Sequence, residues 1–438
     1  MSKILALHEL ETILSQYLNF EKTPKKDALW LKNMELLCSK LDNPQKKYKS
    51  FHIAGSKGKG SVSSFIARIL EEAKLSAGIF TSPHVSDISE RLRKPSELFS
   101  NQTYQNALDE FKSITDFIQN LENNGGNSAT WFELFTIYSF LCFEKAQVDW
   151  AVFEVGLGGR LDSTNVIEPE ACIITPIELE HTEFLGDTIE KIAFEKAGII
   201  KKGIPVFSAP QFDSVKKVFE QKAKEVGTSI TFLNEKDVFH AELFNFIDSI
   251  ELTLKGSIQK QNAKLAALAV KSILPKIDNT TILQGLQKTT IPCRFEVIKK
   301  SYNNKELTVV LDGCHTPNSV AICLDTFYEE FGSDNHLLFA CAKDKDVEGM
   351  AEIIKKSPCN FGHITITEPG NVKQADFSKI ENTFENKFKT QQLTKNKDYS
   401  TCIKNAIEIA QRQNKTLLCM GSFYLCAELL EGIKLGNI

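Results

Sequence analysis

The sequence predicts an α/β protein: a mostly parallel sheet with helical crossovers, followed by a second, smaller α/β series. Three observations carry this. From Phe51 onward, short apolar runs rich in β-branched and aromatic residues alternate with longer amphipathic stretches. A glycine-rich stretch, GSKGKGS, joins the first such run to the first long amphipathic one. The alternation restarts after Pro292, and a chain of 438 residues is long enough for two or three ordinary domains.

The N-terminal MSKILALHELETILSQYL places acidic residues within its apolar periodicity, so it reads as an amphipathic helix and not as a signal peptide. SFHIAG, AGIFTS, DWAVFEVG, ACIITPI and GIPVFSA read as buried strands. SVSSFIARILEEAKL, NQTYQNALDEFKSITDFIQN, TWFELFTIYSFLCFEKA, TIEKIAFEKAGII and SVKKVFEQKAKEV read as the helices between them, an order that makes the sheet parallel. ENNGGNS, from Glu122 to Ser128, is the clearest flexible loop. FNFIDSIELTLKG alternates like an antiparallel strand or hairpin, and QKQNAKLAALAVKSI then resumes helical spacing. ELTVVLDG, NSVAICLDTFYEEF, HLLFACA, VEGMAEIIKK, HITIT, KTLLCMG and SFYLCAELLEG form the second series. The boundary is placed between domains 1–294 and 295–438.

A net charge of -4, with both signs spread along the chain, argues against a nucleic-acid partner. No apolar run approaches the ~20 residues of a membrane span. The 11 cysteines are scattered, without C-x-x-C pairs, which favours buried thiols in a reducing compartment. The expectation is a cytoplasmic monomer that handles small soluble molecules.

The loop HIAGSKGKGS, His52 to Ser61, follows a predicted strand and opens a predicted helix, the context of a phosphate cradle. Gly55, Gly58 and Gly60 let the backbone approach an anion, the helix N-terminus directs free amides at it, and Lys59 neutralises outer phosphates. The spacing is not G-x-x-x-x-G-K-[ST], because Ile53 and Gly60 stand where glycine and Ser/Thr are required.

GSKGKGS resembles the G-T-N-G-K-G-S loop of the folylpolyglutamate synthase and dihydrofolate synthase family, part of the wider Mur ligase group. The resemblance continues in order through TSPHVSDISER, VFEVGLGGRLDSTN, ELEHTEFLGDTIEKIAFEKAGIIK, QKQNAKLAALA, IPCRFEV, LDGCHTPNS, AKDKD and MGSFYLCAELL, spanning roughly residues 50 to 425. It implies a P-loop Mur-ligase-like domain followed by a Rossmann-like C-terminal glutamate-ligase domain. It also implies a ligase that uses ATP and Mg²⁺ to join L-glutamate to a pteroate or folate carboxylate through an acyl phosphate.

Each requirement of that chemistry has candidates. The resemblance assigns the nucleotide to Gly55, Ser56, Lys57, Gly58, Lys59, Gly60 and Ser61, and to Asn262, Arg294, Asp312 and His315, the last four as contacts from the second half. Glu154 ends an otherwise apolar strand, where a carboxylate is costly unless paired or metal-bound, so it is the natural Mg²⁺ ligand. The resemblance adds Ser82, His181 and a carbamylated Lys196 to the metal set. It names Lys59, Lys196 and His315 as catalytic, and places Arg91, Arg160 and Asp162 near the folate.

VGLGGRLD fails as a dinucleotide fingerprint because residue 161 is leucine, so it reads as a tight loop. This chain departs from the family at Ser56, Lys57, Glu180, Cys314 and Thr316, where Thr, Asn, Asp, Ala and Asn are usual. Thr316 still suits an N-cap before Pro317. Trp30 and Asn33 stand where glycine and arginine are common in a stretch that helps hold the pterin. A Mur-like ligase for another carboxylate, or a non-catalytic ATP-binding protein, are the alternatives.

Overall fold

The computed structural model describes residues 4–19, 31–84, 87–123, 129–234, 241–302, 305–370 and 373–435. Trp30 and residues 124–128 of the ENNGGNS stretch lie outside them. Packing divides the chain into two units: residues up to Thr289 form the first, apart from Asp87 and the segment Thr253–Ser257, which group with the residues from Thr290 onward in the second.

In the first unit, β1 (Lys49–Ala54), β2 (Ala77–Phe80), β3 (Leu92–Arg93), β4 (Trp150–Glu154), β5 (Ala171–Ile174), β6 (Val206–Ser208) and β7 (Ile230–Phe232) form one sheet in the order β3-β2-β4-β1-β5-β6-β7. All pairings are parallel except β2 with β3. Every residue of β2, β4 and β5 is buried, as a sheet covered on both faces requires. The helix Trp131–Lys145 is buried almost all round and sits in an aromatic core with Phe80, Phe111 and Phe153.

In the second unit, β8 (Glu296–Tyr302), β9 (Lys305–Asp312), β10 (His336–Phe339), β11 (His363–Ile366), β12 (Leu393–Lys395) and β13 (Leu417–Met420) run in the order β12-β11-β10-β13-β9-β8, with β8 antiparallel to β9. Thr316 caps the helix Pro317–Phe331 in a reciprocal box with Ser319, and Pro317 stands in its first turn. None of the 11 cysteines is in a disulfide, and all are buried.

Two local expectations are corrected. The stretch read as a strand or hairpin from Phe244 begins inside a helix, Ala241–Ser249, that buries Leu243, Phe244 and Ile247. Those positions are helical neighbours, and their one-sided burial outweighs the brief alternation of Phe244 and Phe246. The long helix expected over 101–120 breaks at Ser113, giving Asn101–Lys112 and Thr115–Asn123. Among the described residues, no helix is long and apolar enough to cross a membrane.

Candidate active site

The four adjacent strands β2, β4, β1 and β5 end on one edge of the first sheet. Just beyond them stand Ser82, Glu154, the loop Gly55–Ser61 and the segment Thr175–His181. Carboxyl ends of parallel strands are where such sheets bind ligands, because chain connections leave in opposite directions there.

The loop's glycines are dictated by contact. Gly55 has φ 140°, and a methyl there would lie 1.9 Å from Thr175 Oγ1; Gly58 has φ 88°, and a methyl would lie 2.7 Å from Asn262 Oδ1. The Ser56 and Lys57 amides donate to Pro176 O at 2.9 and 3.4 Å, and Ser56 Oγ donates to Glu178 O at 3.1 Å. The first helical bond is Val62 N to Gly58 O, so the Lys59, Gly60 and Ser61 amides are those the helix Lys59–Glu72 leaves over for an anion. Lys57 is exposed.

Two ammonium groups share one acceptor. Lys59 Nζ donates to Gly55 O at 3.0 Å, and Lys196 Nζ, from the helix Ile189–Ala197, donates to the same oxygen at 2.8 Å. Lys196 also pairs with Glu180 Oε1 at 2.8 Å and is 2% exposed. Burial, and next the Lys59 charge, pull Lys196 down to about 8. Burial acts to raise Glu180, but the Lys196 and Lys59 charges outweigh it and hold its carboxyl below the usual range. His181 occupies the left-handed region at φ 45°, an uncommon conformation that recurs at functional sites. Desolvation lowers its pKa against the opposing pull of Glu180, with Lys196, Lys59 and Lys57 adding to the fall.

The metal set divides on donor chemistry. Glu154 is buried, accepts a hydrogen bond from the Ser82 amide at 3.3 Å, and faces the loop helix: a methyl on Gly60 would lie 3.5 Å from Glu154 Oε2. A carboxylate beside a serine at a phosphate loop suits Mg²⁺, a hard cation. His181 and an amino Lys196 offer it no anionic oxygen. They fit only once Lys196 bears a carbamate.

The VGLGGRLD loop is pressed onto the helix that carries Lys196. A methyl on Gly159 would lie 2.9 Å from Glu195 O, one on Gly198 would lie 2.3 Å from Arg160 Cα, and Arg160 N donates to Glu195 O. The Arg160 guanidinium pairs with the Glu195 carboxylate at 2.9 Å near Phe194. Such an exposed pair contributes about 1 kcal/mol or less, so Arg160 can exchange it for a ligand carboxylate at small cost.

Asp162, expected at the substrate, is spent inside the loop. Its Oδ2 accepts from Leu157 N at 2.9 Å and its Oδ1 from Thr164 N and Oγ1 at 3.0 and 2.5 Å. Thr164 Oγ1 lies 2.8 Å from His52 Nε2. The hydroxyl gives its one proton to Asp162, so His52 donates from Nε2 and its buried Nδ1 is bare. Burial holds that ring far below its ordinary pKa and therefore neutral. This relay ties the loop to β1 and was not legible in the sequence, where His52 is only a strand residue. Replacing Thr164 with valine leaves the buried His52 Nε2–H unmet and takes one of the two hydrogen bonds from Asp162 Oδ1, and is expected to cost about 2 kcal/mol. Thermal unfolding should show a fall of a few degrees, with Thr164→Ser restoring it.

Arg91 is likewise not at a cleft surface: it is 2% exposed, donates from Nε to His84 Nδ1 at 2.7 Å, and lies over Trp131 at 5.0 Å. Asn262, expected with the second half, belongs to the first unit, on the helix Ser257–Ile273.

Arg294, Asp312 and His315 cluster in the second unit. Asp312 ends β9 and accepts from the Cys314 amide at 2.8 Å and the Phe295 amide at 2.9 Å; burial raises its pKa, with the Arg294 charge opposing. Arg294 lies 4.6 Å over Phe423, and the His315 ring meets the edge of the same aromatic at 5.8 Å while its Nδ1 contacts Gly313 O. Phe423 is an organiser that the sequence reading missed, since it lies more than a hundred residues from both.

Residues 53–270 match the Mur ligase middle domain, and residues 293–423 match the Mur ligase glutamate ligase domain. The chain is similar to the dihydrofolate synthase/folylpolyglutamate synthase of Bacillus subtilis, at 31% identity over 92% of this chain and 95% of that one. Its fold is similar to that of the folylpolyglutamate synthase of Thermotoga maritima, with a TM-score of 0.81, 25% identity, and coverage of 99% and 97%. A Mycobacterium tuberculosis folylpolyglutamate synthase complexed with ADP and AMPPCP gives 0.81 at 24% identity, covering 99% of both chains. The chain belongs to the dihydrofolate synthase/folylpolyglutamate synthase family of ATP-dependent Mur ligases.

Proposed function

We propose that the protein joins L-glutamate to the carboxylate of a pteroate or folate, with ATP converting that carboxylate to an acyl phosphate that the glutamate amine then attacks. The observation that carries this reading is the pair of lysines on one carbonyl, opposite Glu154, at the start of the loop helix. Two cations packed on one oxygen repel each other, and a polyphosphate relieves that repulsion; nothing in the fold itself requires it.

The residues take their parts from this geometry. The Lys59, Gly60 and Ser61 amides grip the phosphate chain, and Lys59 neutralises the group in transit. Glu154 and Ser82 would hold Mg²⁺, with His181 and a carbamylated Lys196 at a second position; the ion would supply positive charge to offset the phosphates. Arg160 orients the acid substrate, and Asp162 keeps the loop around Arg160 in shape. Asn262 presses on the phosphate loop from its helix. Arg294, Asp312 and His315, which belong to the second unit, are nucleotide contacts in the same reading, which assigns the first unit to ATP and folate and the second, from Thr290, to glutamate ligation. The free, buried thiols support a cytoplasmic setting.

The B. subtilis relative is named for both dihydrofolate synthesis and polyglutamate extension, and we extend both to this chain as acceptors to test. Purified protein with Mg-ATP and glutamate is given dihydropteroate, tetrahydrofolate or neither, and phosphate release and product mass are followed. Phosphate release that requires the acid, with gain of one glutamate residue, is the expected result. ATP binding without turnover on either acid would overturn it.

A further inference from the structure

We propose that the second unit holds a binding site for a thiophilic d10 ion of the Zn²⁺ and Cd²⁺ class, formed by the Asp312 carboxylate, the Cys314 and Cys323 thiolates and the Met420 thioether. The ligand atoms of Asp312, Cys314 and Cys323 lie within 4.8 Å of one another, and Cys314 Sγ stands 3.8 Å from Met420 Sδ. Tetrahedral zinc with metal–sulfur bonds of about 2.3 Å separates its sulfurs by about 3.8 Å. One pair is therefore already at coordination spacing, and side-chain rotation closes the rest.

The backbone fixes these donors. Asp312 and Met420 are register partners on the adjacent parallel strands β9 and β13. Cys314 follows Asp312 by two residues, and Cys323 comes from the capped helix Pro317–Phe331. The amides of Cys314 and Phe295 orient the Asp312 oxygens, each of which retains a lone pair for an ion. The thiols are buried, and Asp312 is the partly exposed member of the three.

Three sulfurs select a soft ion and reject Mg²⁺, so this set does not duplicate the hard-oxygen pair at Glu154 and Ser82. Cys314 stands where the family motif has alanine. Cys419 and Cys426 lie equally close, Sγ to Sγ 3.8 Å, but among the described residues no carboxylate joins them in a metal-binding group. As the ion binds, the two thiols lose their S–H protons and form two thiolate–metal bonds, while Met420 Sδ and an Asp312 oxygen each donate a lone pair to complete the four. Holding Asp312 on the ion takes it from the nucleotide; this last step rests on the role proposed above for Asp312, and the site itself does not.

The test uses the full chain, freed of metal by a chelator and titrated with Cd²⁺ while the ultraviolet sulfur-to-cadmium charge-transfer band is followed, with Zn²⁺ as competitor. The expected result is one equivalent bound, with binding about 100-fold weaker in Cys323→Ala. That variant should keep its turnover without Cd²⁺ and lose its inhibition by Cd²⁺. A band unchanged in both Cys323→Ala and Cys314→Ala, or one that disappears in Cys419→Ala, overturns the site. A band that maps to Cys314 and Cys323 but does not yield to ATP leaves the site standing and overturns the nucleotide role of Asp312.

Discussion

Replacing Lys196 with methionine is expected to lower turnover by about 1000-fold, or about 4 kcal/mol at the transition state, while leaving the protein folded. Methionine matches the length of the buried stem but cannot become a carbamate. Glu180 loses its partner, which alone would be costly. The same change removes a desolvated ammonium and its repulsion with Lys59, so the net effect on stability is smaller. Lys196→Arg separates two roles for the site: a cation acting on phosphate would survive in arginine, whereas a carbamate would not. Steady-state phosphate release and intact mass, read for gain of one CO₂, check both.

The pH dependence has a definite sign. Only the neutral amine attacks CO₂, and with a pKa of about 8 roughly a tenth of Lys196 is neutral at pH 7 and half at pH 8. Carbamate formation should therefore climb steeply with pH up to about 8. Stability follows the same lysine: below about 8 the folded protein carries a buried ammonium at full cost. Between about 8 and the ordinary 10.5 the folded state has released a proton that the unfolded chain still holds, so stability rises with pH across that window. The whole effect is on the order of 3 kcal/mol and should vanish in Lys196→Met.

Glu154→Gln is expected to cost about 1000-fold in kcat/KM at ordinary Mg²⁺, with partial recovery as Mg²⁺ is raised. The amide is isosteric and still accepts from the Ser82 amide, so the edge of β4 keeps its shape. What goes is the negative charge. A merely structural glutamate would give a lower Tm and no rescue by Mg²⁺; full activity at low Mg²⁺ would end the metal assignment.

The strand and helix order was legible because each buried strand is a short, continuous apolar run between amphipathic stretches. The helix Ala241–Ser249 escaped because two phenylalanines two residues apart imitate a strand until their neighbours' burial is known. At the site, side chains announced themselves through motif spacing, whereas backbone acceptors did not. Nothing in the sequence marks the Pro176 carbonyl as the partner of two loop amides, or the Gly55 carbonyl as the shared acceptor of two lysines. Arg91 and Asp162 were placed at the substrate by the family resemblance, which matches motifs and not side-chain partners. The structure gives both of them internal partners, Trp131 for one and Thr164 for the other, which only folding brings near.

The Gly55 carbonyl also imposes an order in time. Lys59 depresses the basicity of Lys196 only while its own charge is unmatched, so a nucleotide that neutralises Lys59 makes Lys196 more basic and leaves less free amine for CO₂. With the carbamate proposed for Lys196, the empty loop would acquire it fastest and the nucleotide-filled loop would resist it. Maturation of the enzyme should precede its first turnover, and protein stored with ATP in bicarbonate-free buffer should recover activity more slowly than protein stored without nucleotide.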